Sequence, residues 1–364
     1  MPATVIVLRD RAALAAIVPA WEELAANALE PNPFYEPWIL LPALRAQGVG
    51  EDFCCPSVWH EGKLIGLFPF QRRGRFKGLP IATLSSWRHS AYLLCTPLVR
   101  RDAAGAAVRA LLRWSGDEAS VLELLYLPAN GPFDDALREC ARTMVRTARF
   151  SRALLVKGES ADSYMEEAMS AQFRRQLRRQ QRRLAAQGAS TVTIRPDGEI
   201  DEEIERFLAL EASGWKGRDG GALAASDANL RFGREVLGGA ARRGRLLMVG
   251  IDCGPGRPVA RRVSLLAGEG SYAFKTAYDE AYAAYSPGVL AEALSLREFH
   301  ALPGVKWMDS YTEPGNSMVN RMWKHRRAMQ SVAVATGAWG AFWLSVYASF
   351  RDTARTAERA RPAA

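Results

Sequence analysis

Residues 245–300 read RLLMVGIDCGPGRPVARRVSLLAGEGSYAFKTAYDEAYAAYSPGVLAEALSLREFH, and this stretch decides the fold. The runs RLLMVGID, PVARRVSLLA and SYAFKTAY are strand-like and are separated by the glycine turns CGPGR and GEG, which predicts an antiparallel meander. From Pro287 to His300 the pattern turns helical. Downstream come a strand in VKWMDS (305–310), a helix from about Ser317 to Arg326, and a strand near 329–335. Strands separated by helices lie side by side through crossovers, so the class is α+β (mixed α/β).

Upstream, helices at 201–213 and about 229–241 precede the meander. The first half echoes this plan. Helical patterns over 12–46 are broken by PNPFYEPW; FCCPSVW, the turn Glu61-Gly62 and KLIGLFPF then read as a hairpin. A helix at 103–114, the strand SVLELLYL, a helix at 133–148 and the strand ALLVK follow. Two mixed units of similar plan account for this, with boundaries at 1–157 and 158–337 and a tail at 338–364.

Between the two lies AQFRRQLRRQQRRLAAQ, in which Arg174, Arg175, Arg178, Arg179, Arg182 and Arg183 cover half of a helix and Phe173, Leu177 and Leu184 the other side. Such a face is either a solvated surface or a contact for phosphates. Ala328 to Phe350 contains no charge. Its pattern predicts a strand closed by Gly337 and a helix with Trp339, Phe342, Trp343, Val346 and Phe350 on one face. That face docks on the protein or rests on a membrane surface.

The 364 residues carry 48 Lys plus Arg against 39 Asp plus Glu, a formal charge of +9, which favours an anionic partner. Five cysteines with no C-x-x-C give neither a disulfide framework nor a cysteine zinc site, so a reducing cytoplasm is expected. Four scattered histidines and the absence of H-E-x-x-H and G-x-S-x-G remove zinc hydrolysis and serine-triad chemistry, and no metal is expected. GEGSYA, at 268–273, mimics a dinucleotide fingerprint but sits between strands, where a hairpin turn explains its glycines.

Three constellations carry chemistry. In YDEAYAAYSPGVL, Ser286 suits a helix N-cap, Pro287 the first helical position, and Gly288 a close backbone approach, so the helix start offers amides to an anion. In FLALEASGWKGRDGGAL, Glu211 shares a face with Ile204, Phe207 and Leu208. A half-buried acid must be paired, with an Arg or with Lys216, or have a raised pKa fit for a base. In VKWMDSYTEPGNSMVNRMWKHRR, Asp309 ends a strand while Asn316, Asn320 and Arg321 open the next helix. This suits ligand contact or, for Asn316, plain capping.

Together, and in this order, NPF and W at 32–38, FRRQLRRQQRRL, LEASGWKG, AFKTAYDEAYAAYSPG and DSYTEPGNSMVNRMWKHRR resemble the CelD-type acetyltransferase family of the GNAT superfamily, itself similar to the FemABX peptidyltransferases. The resemblance runs from about Trp21 to Gly337. It implies two tandem GNAT-like domains, each a mixed, mostly antiparallel sheet flanked by helices, with the donor site in the second. It also implies acyl transfer from acyl-CoA, acetyl-CoA included, to an amine or hydroxyl of a small-molecule, saccharide or peptidoglycan-type acceptor, in the setting of polysaccharide biosynthesis.

On that resemblance Ser286, Pro287, Gly288 and Val289 receive the donor pyrophosphate, with Lys275 and Asn316 beside it. The usual Gln/Arg-x-x-Gly-x-Gly/Ala loop is reduced here to Pro-Gly. Glu211, Asp279 and Asp309 are the candidate bases, Tyr278 and Tyr285 the candidate acids for the leaving thiolate, and Trp215, Lys216 and Arg321 shape the acceptor cleft. A FemABX-like ligase using aminoacyl-tRNA is the alternative donor reading, and a non-catalytic scaffold in polysaccharide assembly is a second. A cytoplasmic location, with peripheral contact at the inner membrane face, completes the expectation.

Overall fold

The computed structural model describes residues 2–194 and 200–359, with side chains to residue 351. The chain forms two compact units, neither of them continuous in sequence: Met1–Pro37, Val49–Phe150 and Ala328–Ala364 make one, and Trp38–Gly48 and Ser151–Arg327 the other.

The chain begins with β1 (Thr4–Leu8), α1 (Arg11–Ala16), α2 (Val18–Ala26) and α3 (Pro37–Gln47), then β2 (Phe53–His60), β3 (Lys63–Leu67), β4 (Phe70–Arg73), β5 (Thr83–Ser86) and β6 (Leu98–Val99). Next come α4 (Ala104–Glu118), β7 (Val121–Pro128), α5 (Pro132–Cys140), β8 (Met144–Val156), α6 (Ala161–Ala168), α7 (Ala171–Ala185) and β9 (Ala189–Ile194). The meander region holds α8 (Ile200–Ser213), α9 (Trp215–Arg218), α10 (Asp227–Arg242), β10 (Leu246–Cys253), β11 (Pro258–Ala267) and β12 (Gly270–Tyr278). The end of the chain supplies α11 (Pro287–Ala301), β13 (Trp307–Asp309), α12 (Ser317–Met322), β14 (His325–Ala335) and α13 (Ala338–Arg359).

In the first unit the strands run β6-β3-β2-β4-β5-β7 and then β14, with β1 paired to β2. The pairs are antiparallel except β5 with β7. Cys54, Val58, Phe68, Leu111, Leu122 and Val332 lie in its core. Helix α13 docks here through the fully buried Leu344, with Trp343 and Tyr347 packed beside it. The expected apolar face is rotated: Trp339, Phe342 and Phe350 stay exposed, because Leu344 and not Trp339 meets Phe76, Val121 and Ala333.

In the second unit the order is β8-β13-β12-β11-β10-β9, a mixed sheet whose parallel pair is β12 with β13. The meander β10-β11-β12 is antiparallel, as the sequence predicts. Leu155, Leu247, Ala273, Leu296, Met308 and Trp323 share its core.

Two helices expected from the sequence end early. The one expected over 133–148 stops at Cys140, and Met144–Val156 is strand, where the Ala335 amide donates to Thr143 O just before the strand begins. The one expected from Ser317 to Arg326 stops at Met322, because β14 already begins at His325. Residues 360–364 of the expected tail lie outside the described residues.

Candidate functional site

Strands β12 and β13 pair over only three residues, Gly270 with Trp307, Ser271 with Met308, and Tyr272 with Asp309. Beyond Tyr272, β12 continues to Tyr278 along β11, while the Ser310 amide that follows β13 donates to Ala153 O on β8. The two parallel strands thus have different neighbours past this point. The pairing of β12 with β11 also jumps, from Val263↔Lys275 to Leu265↔Tyr272, so Ala273 and Phe274 face the single residue Ser264. This is a β-bulge, which leaves one residue out of the ladder and bends the strand locally.

Helices α8 and α9 lie over this strand. Glu211, on the apolar face of α8, is buried, as the helical spacing predicts. Its Oε2 accepts from the Leu223 amide at 2.8 Å and its Oε1 lies 3.2 Å from Lys275 Nζ. Lys275 also donates to Gly221 O at 3.0 Å. The acid is therefore paired, and its partner comes from β12 rather than from Lys216.

Lys216 instead donates to Thr276 O at 2.6 Å, past the last residue that β13 pairs. Burial pulls its ammonium down from 10.5 to about 8; Glu211 opposes the fall, and Lys275 and Arg262 add to it. Its neighbour Trp215 is 49% exposed. The Trp215 amide donates to Glu280 Oε1 at 2.8 Å, and Arg218 pairs with the same carboxylate. The Arg218 guanidinium, with the Trp215 amide, holds the Glu280 carboxyl below its usual range. One acid thus fastens α9 to the 3-10 turn Glu280–Tyr285.

Asp279 caps that turn through Ala281 N at 2.9 Å. Tyr285 lies under the Arg183 guanidinium, 5.1 Å from the ring centroid, and Gln180 donates to Ala284 O at 3.4 Å. The arginine helix α7 therefore flanks the turn, with Arg175, Arg178, Arg179 and Arg182 exposed.

The start of α11 differs from a simple capped helix. Ser286 is left-handed (φ 54, ψ 50) and its side chain makes no cap, because an N-cap needs the extended conformation. Pro287 holds the first helical position as expected, but the amides of Val289 and Leu290 already donate to Ser286 O. Pro287 has no N–H, so among the described residues Gly288 is the first-turn donor left for an anion. A Cβ on Gly288 would meet Tyr278 Cδ1 at 3.3 Å, which places these two candidates against each other.

Asp309 stands apart from this group. It is fully buried, with Arg152 Nε at 2.6 Å, Arg327 Nη1 at 3.0 Å and the Tyr311 amide at 2.9 Å. Burial alone would raise its carboxyl, but Arg152 and then Arg327 outweigh that and hold it below the usual range. Asn316 caps α12 through Val319 N at 3.3 Å, and Arg321 lies over Phe173 at 4.6 Å. The structure thus gathers Glu211, Trp215, Lys216, Lys275, Tyr278, Asp279, Tyr285, Ser286 and Gly288 around β12 and the start of α11, with Asp309, Asn316 and Arg321 elsewhere in the unit.

Sequence reasoning missed Glu280, and it missed the buried Arg262–Glu292 pair at 2.7 Å, to which Trp323 adds a 3.1 Å bond. This pair fixes α11 on β11. Two consecutive arginines inside the apolar run PVARRVSLLA were the available signal, since a strand buried on both faces must pair any charge it carries. Among the described residues no three His, Cys, Asp or Glu groups could hold a metal ion, and no helix is long and apolar enough to cross a membrane.

The family model described as Acetyltransferase (GNAT) domain matches residues 171–317, which include the whole of this cluster. No curated protein matches the chain. Among solved structures, FemX has a TM-score of 0.56 at 10% identity, covering 86% of this chain and 95% of its own. L-PGS from Bacillus licheniformis has a TM-score of 0.53 at 12% identity, with 90% and 93% covered. The C-terminal domain of a putative lysylphosphatidylglycerol synthetase from Agrobacterium fabrum has 0.54 at 10% identity, with 91% and 95% covered. At these identities the likeness is one of fold. The chain contains an acetyltransferase domain of the GNAT type and shares the fold of FemX over most of its length.

Proposed function

We propose that this protein is a CelD-like acyltransferase that moves an acyl group from acyl-CoA to an amine, or a hydroxyl, of a small-molecule, saccharide or peptidoglycan-type acceptor. The observation that carries the reading is the bulged stretch of β12 that runs on past its last pair with β13, with the Lys216 nitrogen at Thr276 O. A thioester laid along 273–278 would meet the backbone amide of the residue that the bulge leaves out of the ladder. That amide stabilises the oxyanion as the acceptor nitrogen attacks.

The attacking amine must lose a proton. With a pKa of about 8, Lys216 is about one-quarter neutral at pH 7.5, against roughly one in a thousand for an ordinary lysine. Lys216 accepts that proton, directly or through water, and Glu211 with Lys275 sets the charge around it. Asp279, with one carboxylate oxygen spent on Ala281, is the second acceptor candidate. Tyr278 and Tyr285 are the candidates to return a proton to the leaving thiolate, and the Gly288 amide is the candidate to meet donor phosphate.

The test is saturable acetyl-CoA binding by calorimetry, followed by thiol release on adding amine acceptors. Binding with release that survives ribonuclease supports the reading. Neither binding nor release overturns it in favour of the non-catalytic scaffold.

One observation favours a second reading, aminoacyl transfer from tRNA: the exposed arginine face of α7 runs beside the turn that leads into α11. Transfer that requires aminoacyl-tRNA and is abolished by ribonuclease, with acyl-CoA unused, decides for it. The exposed Trp339, Phe342 and Phe350 of α13 support peripheral contact with the inner membrane face, which co-sedimentation with anionic vesicles tests.

A further inference from the structure

The first unit holds a cavity of about 760 Å³ that the proposed chemistry does not use. Its walls come from α4, from the segment between α5 and β8, from the chain start at Pro2 and Ala3, from His60 at the end of β2, and from Ala335–Ala341. Arg109 and Arg113 reach it from successive turns of α4, and Arg142 from the segment after α5. Among the described residues no aspartate or glutamate lines it. Two guanidinium groups four residues apart on a helix repel each other, and no carboxylate of the cavity wall offsets that repulsion. Elsewhere in the same unit arginines meet acids, as Arg72 meets Glu118, Arg100 meets Glu23 and Arg138 meets Asp134.

A further feature points the same way. The 22-residue helix α13 begins at the cavity with no acidic residue in its first turn, so the positive end of its dipole is unopposed there. Thr143 and Thr336 also line it, and Ala106, Leu112, Ala141 and Ala341 form an apolar part of the wall. Three guanidinium groups and a helix end suit a dianion, and an apolar wall suits a carbon skeleton attached to it.

We propose that this cavity binds a small organic phosphate, a phosphomonoester or diphosphate whose charged end meets Arg109, Arg113 and Arg142 and whose carbon skeleton lies against Leu112 and Ala141. The site belongs to the first unit alone.

Calorimetry of the full chain at low salt, with glucose 1-phosphate and separately with inorganic pyrophosphate, tests it. Binding of either probe, weakened about tenfold or more in Arg109→Ala/Arg113→Ala and again in Arg142→Ala, is the expected result. Tighter binding of glucose 1-phosphate identifies an organic ligand, and tighter binding of pyrophosphate a bare phosphate one. Unchanged urea midpoints separate lost binding from lost folding. A local readout comes from Cys140, on the cavity wall with its Sγ 3.9 Å from Arg109 Nη1. Saturating probe slows alkylation of Cys140 and leaves Cys253, in the other unit, unaffected. Failure of the wild type to bind either probe, equal affinity in the Arg109→Ala/Arg113→Ala variant, or unprotected Cys140 overturns the proposal.

Discussion

The ammonium nitrogen of Lys216 lies 2.6 Å from the carbonyl oxygen of Thr276, on the part of β12 that extends past its last pair with β13. A buried amine with one backbone acceptor keeps its hydrogen bond after losing a proton, so it can cycle between charge states without moving.

Lys216→Met should lower kcat about 10²- to 10⁴-fold, the range for a positioned acid or base. In the wild type, kcat/KM rises as pH approaches about 8 and levels above it; the variant loses that limb. Stability carries the same signature. The folded value lies below the ordinary 10.5, so the cost of burying the charged form is fully present below about pH 8 and fades as pH rises toward 10.5. That cost is on the order of 3 kcal/mol. The urea midpoint of the wild type should therefore gain on that of Lys216→Met between those two pH values.

Glu211 and Lys275 form the second test. Removing one member of a buried pair strands the other, at about 3–5 kcal/mol. Glu211→Gln and Lys275→Met should each lower the urea midpoint strongly, and the double variant should recover part of the loss. Because Glu211 supports the charged form of Lys216, Glu211→Gln should also move the kcat/KM limb to lower pH. An unmoved limb would separate Glu211 from the chemistry.

The meander and the helix at Pro287 were legible because period-two runs, glycine turns and a Ser-Pro start are local signals. The pairing of Glu211 was not. Helical spacing placed its carboxylate in an apolar stripe, but the amine that answers it comes from β12, far along the chain. The opening of the strand over Met144–Val156, up to residue 148, was misread as helix for a related reason: VRTA suits either state, and its neighbours in the sheet decide. The first-turn amides of α11 were overcounted because a serine before a proline reads as a cap, whereas here its backbone is left-handed and its carbonyl accepts two of the amides.

Asp309 gives an acid-side test. Its folded value is depressed, so its contribution is complete above the ordinary value of 3.8 and is lost as pH falls through the lower folded value. Asp309→Asn should cost about 3–5 kcal/mol at neutral pH by stranding Arg152 and Arg327. Acid titrations followed by fluorescence should show a shallower loss of stability below pH 3.8 in the variant than in the wild type.

Gly270 opens the three-residue pairing of β12 with β13. A Cβ there would sit 2.2 Å from Trp307 Cη2, a distance no side chain tolerates, and Trp307 is itself held under the Arg327 guanidinium at 4.8 Å and edge-on to Tyr272 at 5.4 Å. The indole cannot simply swing aside. Gly270→Ala should therefore break the Gly270–Trp307 pair and cost about 1–3 kcal/mol, as overpacking does. The kinetic consequence separates a structural from a chemical role: kcat/KM should fall while the pH limb assigned to Lys216 stays near 8, since Lys216 contacts β12 at Thr276 and not at Gly270. A limb displaced together with stability would mean that the cleft and the amine are set by the same strand pair.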